Sequence, residues 1–78
     1  MGLIMYAGKR CPGCAAAKEW LNARGVRYEV VNIDGDRRLM HELTSITGQR
    51  SIPQFFLDRQ WLSGGMAQVR DLYARGQI

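Results

Sequence analysis

Two residues in this chain stand out for their chemistry. Cys11 and Cys14 are its only cysteines, and they lie two positions apart in Lys9-Arg10-Cys11-Pro12-Gly13-Cys14. Thiols at this spacing can exchange with a disulfide: one attacks a substrate sulfur, and the second displaces the product from the mixed disulfide. A structural zinc site would need four ligands, and the sole histidine, His41, is far along the chain. The pair therefore reads as redox-active, with Cys11 as nucleophile and Cys14 as resolving thiol.

The flanking residues say how such a pair would be positioned. Leu3-Ile4-Met5-Tyr6-Ala7 is a short apolar run of strand length, and Ala15-Ala16-Ala17-Lys18-Glu19-Trp20-Leu21 favours helix. Proline is well tolerated at the first helical position, so Pro12 predicts a helix from Pro12 to about Arg24 with Cys11 as its N-cap. The unpaired amides and the positive end of the helix dipole would then converge on the Cys11 sulfur. This should bring its thiol well below the free value of roughly 8.5, helped by Lys9 and Arg10.

The remaining elements follow in order. Ala17, Trp20 and Leu21 form the apolar face of the first helix, and Gly25 stops it. Tyr28 to Ile33 predicts a second strand, rich in β-branched and aromatic residues. Asp36 is a good N-cap for a second helix whose stripe is Leu39, Leu43 and Ile46, with Met40 alongside and Thr47-Gly48 at its end. His41 lies off that stripe and is expected to be exposed and without a role. Pro53 marks the start of a strand reaching Leu57, joined through Asp58-Arg59 to a second short strand, Gln60 to Leu62. Ser63-Gly64-Gly65 breaks the pattern before a last helix from about Met66 to Arg75, with Met66, Val69, Leu72 and Tyr73 inward. The expected architecture is α/β: a mixed four-stranded sheet, ordered βαβ-α-ββα, flanked by three helices.

Composition bounds the rest. Residues 1–78 suit one small domain, and a hydrophobic content of 46% is enough for an ordinary core. The 11 basic and 7 acidic residues give a net charge of +4, but the basic residues are scattered and no nucleic-acid motif is present. No stretch approaches the roughly 20 apolar residues of a membrane span, and no secretory leader is seen. The expectation is a soluble, cytoplasmic monomer with no nucleic-acid or membrane partner. In that compartment a cysteine pair is more often catalytic than a structural staple.

Cys11-Pro12-Gly13-Cys14 after a first strand, Ile33-Asp34-Gly35 after a second, Ser51-Ile52-Pro53 before a third and Gly64-Gly65 before the last helix resemble a glutaredoxin. The resemblance covers essentially the whole chain. It implies a thioredoxin fold, a cis Ile52–Pro53 bond facing the cysteines, and an Ile52 backbone that pairs with bound substrate. It also implies a glutathione-dependent enzyme of electron transport and cell redox homeostasis. Its protein substrates would be disulfides and glutathionylated thiols, with glutathione as co-substrate and no bound cofactor or metal. Its glutathione or substrate residues would be Lys9, Gln49, Arg50, Ser51, Ile52, Gly64 and Gly65, with Pro12, Gly13 and Pro53 in support.

Three departures from the family's pattern stand out. Gly13 stands where a tyrosine is common, Gly8 where a lysine is common, and Met66-Ala67 where a small polar residue and an aspartate are common. Losing a charge-assisted hydrogen bond costs roughly 1.5–3 kcal/mol, so glutathione affinity should fall by one to two orders of magnitude. The same departures, with Trp61 ahead of Ser63-Gly64, resemble a neighbouring branch: glutaredoxin-like redoxins that serve ribonucleotide reductase and are reduced by thioredoxin reductase. A third reading is a dimer around a [2Fe–2S] cluster, for which Gly13 leaves room beside Cys11.

Overall fold

The structure is a computed structural model and describes residues 2–78. Its elements are β1 (Leu3–Ala7), α1 (Pro12–Ala23), β2 (Tyr28–Asn32), α2 (Arg37–Thr47), β3 (Gln54–Leu57), β4 (Gln60–Trp61) and α3 (Gly65–Ala74). They form one mixed sheet in the order β2-β1-β3-β4. β1 runs parallel to β2, with Leu3 beside Tyr28 and Ala7 beside Asn32. It runs antiparallel to β3, with Leu3 opposite Leu57 and Tyr6 opposite Gln54. β4 returns along β3 through Asp58 and Arg59.

The two-residue period of β1 divides the interior. Leu3, Met5 and Ala7 point to one face and join Cys14, Ala17, Leu21, Phe55, Leu62 and Val69 in the main core. The buried residues of α1 and α3 thus cover this face. Tyr6 points to the other face, where its ring meets Phe56 edge to face at 5.2 Å. α2 is buried through Leu43 and Thr47, which lie outside the main cluster, so the helices divide two and one between the faces.

Asp36 caps α2 as expected, accepting from the Leu39 N–H at 3.0 Å. The expected stripe of α2 needs correction at Ile46, which is 59% exposed. The buried line runs from Leu43 to Thr47, one full turn apart, and Ile46 is rotated off it. Thr47 can be buried because its hydroxyl donates to the Leu43 carbonyl at 2.9 Å. Two further positions differ in degree. Trp20 is half-buried rather than enclosed, with the Arg24 guanidinium 4.0 Å from its ring centroid. Tyr73 is exposed at one edge and meets Trp20 at 5.3 Å. The hairpin turn places Asp58 and Arg59 at φ 49° and 70°, a left-handed pair built without glycine. Among the described residues no helix is long and apolar enough to cross a membrane.

Candidate active site

β1 delivers the chain to the site through a tight passage. Gly8 is buried, and a Cβ there would meet Asp34 Oδ1 at 2.8 Å and Ile52 Cδ1 at 3.0 Å. The same Asp34 carboxylate accepts from the Lys9 N–H at 2.7 Å, tying the loop after β2 to the loop that carries Cys11. Only a glycine fits beneath this clasp. Asp34, which the sequence offered only as part of the Ile33-Asp34-Gly35 motif, is thus part of the site's frame.

Cys11 is the N-cap of α1 and Pro12 its first residue. The sulfur of Cys11 accepts from the Cys14 N–H at 3.1 Å, as a capping side chain does. Cys11 and Cys14 are joined as a disulfide, with Cα atoms 5.1 Å apart. Their environments differ. Cys14 is 1% exposed within the main core, whereas Cys11 is half-buried, so only Cys11 can meet a bulky substrate.

Facing the pair is the cis Ile52–Pro53 bond. The Ile52 carbonyl oxygen lies 3.6 Å from Cys11 Sγ. Among the described residues, no acceptor takes the Ile52 N–H. Gly13 borders Pro53, and a Cβ there would sit 3.4 Å from Pro53 Cδ, an ordinary contact. Gly13 is exposed, and the missing side chain leaves this flank of the cleft open.

The other expected residues are placed unevenly. Lys9 and Arg50 are exposed, and Arg50 shares a shallow cavity with Arg37, Met40, His41 and Thr44. Gln49 and Ser51 are exposed too, but their side chains are bonded to the buried Gln54: its Nε2 donates to Gln49 Oε1 at 3.0 Å and to Ser51 Oγ at 3.4 Å. The glycine pair at α3 is also engaged. Gly64 N donates to Gln68 Oε1 at 2.8 Å, and Gly65 N to the Leu62 carbonyl at 3.0 Å. Gln54 and Gln68 were not singled out from sequence. For Gln54 a signal existed: it is the one polar residue at the head of the apolar run Phe55-Phe56-Leu57. Among the described residues no three of His, Cys, Asp and Glu are grouped as a metal site.

A half-buried sulfur at a helix N-terminus, a buried partner three residues on and a cis-proline opposite define a thiol–disulfide oxidoreductase on a thioredoxin fold. The chain belongs to the glutaredoxin family. The family's sequence model, described as Glutaredoxin, matches residues 3–62. Glutaredoxin 3 of Escherichia coli is 35% identical over 74 residues, covering 95% of this chain and 88% of that protein. A glutaredoxin of Neisseria meningitidis serogroup B is 38% identical over 72 residues, covering 91% and 80%. The solution structure of a Brucella melitensis glutaredoxin superposes with a TM-score of 0.76 at 26% identity, over 99% of this chain and 83% of that one. A buckwheat glutaredoxin–glutathione complex has the same fold, with a TM-score of 0.78 at 24% identity, over 97% and 71%.

Proposed function

We propose that this enzyme is a glutathione-dependent dithiol oxidoreductase acting on protein disulfides and glutathionylated thiols. The observation that carries the reading is the capped Cys11 sulfur facing the Ile52 carbonyl across the cis-proline. In the reduced enzyme, the Cys14 amide and the helix N-terminus stabilise a Cys11 thiolate. That thiolate attacks a substrate sulfur; a new S–S bond forms as the old one breaks, and the leaving thiolate takes a proton from water. Cys14, once deprotonated, attacks the Cys11 sulfur, releases the second substrate thiol and closes the Cys11–Cys14 disulfide. Two molecules of glutathione then give up two electrons and two protons and leave as glutathione disulfide. A substrate chain lies along Ile52 in antiparallel register, its cysteine exchanging both backbone hydrogen bonds with that residue. Pro12 and Pro53 hold the two sides of the cleft, and Lys9 and Arg50 offer positive charge to a carboxylate. A reducing compartment such as the cytoplasm suits this chemistry.

A second reading is favoured by specific observations. Gly8 and Gly13 carry no groove-forming side chains, Ala67 offers no carboxylate, and the Gly64 and Gly65 amides already have acceptors. These features suit a redoxin that takes electrons from thioredoxin reductase and serves a protein such as ribonucleotide reductase. The two readings separate in a comparison of donors on one disulfide substrate with NADPH. Turnover with glutathione and glutathione reductase alone supports the first reading; turnover with thioredoxin reductase alone overturns it. With a glutathionylated substrate, Cys11→Ser should abolish activity and Cys14→Ser should keep monothiol turnover. Equal loss in both variants would refute the glutathione route.

A further inference from the structure

The geometry points to Gln54 as the positioning residue of the substrate-pairing edge. It is a buried side chain, 5% exposed, directly after the cis-proline, and all its polar atoms are engaged. The indole Nε1–H of Trp61 donates to its Oε1 at 3.0 Å. Because an indole nitrogen can only donate, this bond fixes which end of the carboxamide is oxygen and turns the amino group the other way. That group donates to the Ser51 carbonyl at 3.0 Å.

The consequence follows from peptide geometry. Ile52–Pro53 is the only cis bond among the described residues, so the Ser51–Ile52 peptide is trans and planar. In such a unit the carbonyl and the N–H point in opposite directions. Drawing the Ser51 oxygen inward onto Gln54 therefore aims the Ile52 N–H outward, where no acceptor among the described residues takes it. Gln54 touches neither cysteine; it acts through the orientation of one peptide group. Trp61, on β4, anchors Gln54 from behind, and Gln49 braces it from the loop after α2.

The inference rests on the reading that a substrate chain pairs with Ile52, and the test separates the two. Reduced protein is mixed with excess of a synthetic disulfide peptide, and single-turnover rates give a saturation constant and a maximal rate. A second peptide carries a trans-alkene in place of the peptide bond after its cysteine, which removes the acceptor for the Ile52 N–H. Wild-type protein is expected to hold the alkene peptide about tenfold more weakly, the scale set by one lost pairing contact in a cleft.

Gln54→Met keeps the volume and removes the hydrogen bonds. It should raise the saturation constant of the normal peptide about tenfold and erase most of the alkene penalty. The maximal rate should stay within about twofold, and the pH profile of Cys11 alkylation should superpose on the wild type. Trp61→Phe, which replaces the indole with a smaller ring that has no N–H donor, should move the same constants about threefold, and it decides the matter alone if Gln54→Met does not fold. A fall in melting temperature with unchanged peptide constants would make Gln54 merely structural and overturn the inference. So would a shifted alkylation profile, which would mean that Gln54 acts on Cys11. An absent alkene penalty in the wild type would refute the pairing reading itself, and this inference with it.

Discussion

Replacing Gly8 with alanine tests how the loop bearing Cys11 is held. The added Cβ would lie 2.8 Å from Asp34 Oδ1 and 3.0 Å from Ile52 Cδ1, too close for either neighbour to stay in place. The softest response is for the Asp34 carboxylate to swing away and give up the 2.7 Å bond from the Lys9 N–H. A hydrogen bond to a charged group is worth roughly 1.5–3 kcal/mol, and Asp34's exposure puts this one nearer to ~1 kcal/mol. Residual crowding against Ile52 adds about 1 kcal/mol, the low end of overpacking costs. Loss of the glycine's freedom in the unfolded chain returns about 0.5 kcal/mol. Gly8→Ala should therefore destabilise by roughly 1.5 kcal/mol, which for a chain this short lowers the melting temperature by about 6–12 °C. Asp34→Ala alone should cost about 1 kcal/mol. In that background the carboxylate is already gone, so adding Gly8→Ala should cost only about 0.5 kcal/mol. The double-mutant cycle, read by urea unfolding of the oxidised protein, should show a coupling of about 1 kcal/mol. Strict additivity would refute the clasp.

Two other substitutions follow from local geometry. Gly13→Tyr meets only an ordinary contact at Pro53 Cδ and rebuilds one wall of the cleft; it should lower the KM for a glutathionylated peptide about three- to tenfold in steady-state assays, and an unchanged KM would mean that glutathione does not lie along that wall. Arg59→Gly removes a side chain from a left-handed position at φ 70°; it should stabilise by up to ~1 kcal/mol, seen as a rise in melting temperature of a few degrees, and any fall would assign Arg59 a compensating contact.

The parts of this molecule that were legible in its sequence depend on neighbours along the chain. Cys11, Pro12 and Cys14 lie within one turn of an apolar strand, so local rules of capping place the sulfur without reference to anything distant. The cis-proline and the left-handed glycine after α1 were legible for the same reason, through family pattern and turn chemistry. What escaped depends on partners far apart. In the sequence Gly8 is only an absence, until the loop after β2 brings Asp34 over it. Gln49 and Ser51 read as groove residues through the family resemblance; their actual bonding is set by Gln54, which is held by an indole on the neighbouring strand. Ile46 fits a three-residue spacing from Leu43, but the sheet takes the four-residue partner, Thr47, instead. Periodicity gives two adjacent answers there, and only packing chooses between them.

The single-helix side of the sheet has a dynamic consequence. α2 lies outside the main core, and its buried residues are Leu43 and Thr47. Helices held in this way open locally at a fraction of the global unfolding free energy, so α2 amides should exchange with solvent deuterium well before those of β1. That opening does not stay within α2. The Thr47 hydroxyl accepts from the Gln49 N–H at 3.1 Å, and Gln49 is the first link of the chain of bonds to Gln54 and Ser51. Opening of α2 should therefore loosen the Ile52 edge, and a peptide bound along Ile52 should slow deuterium uptake in a helix it does not touch.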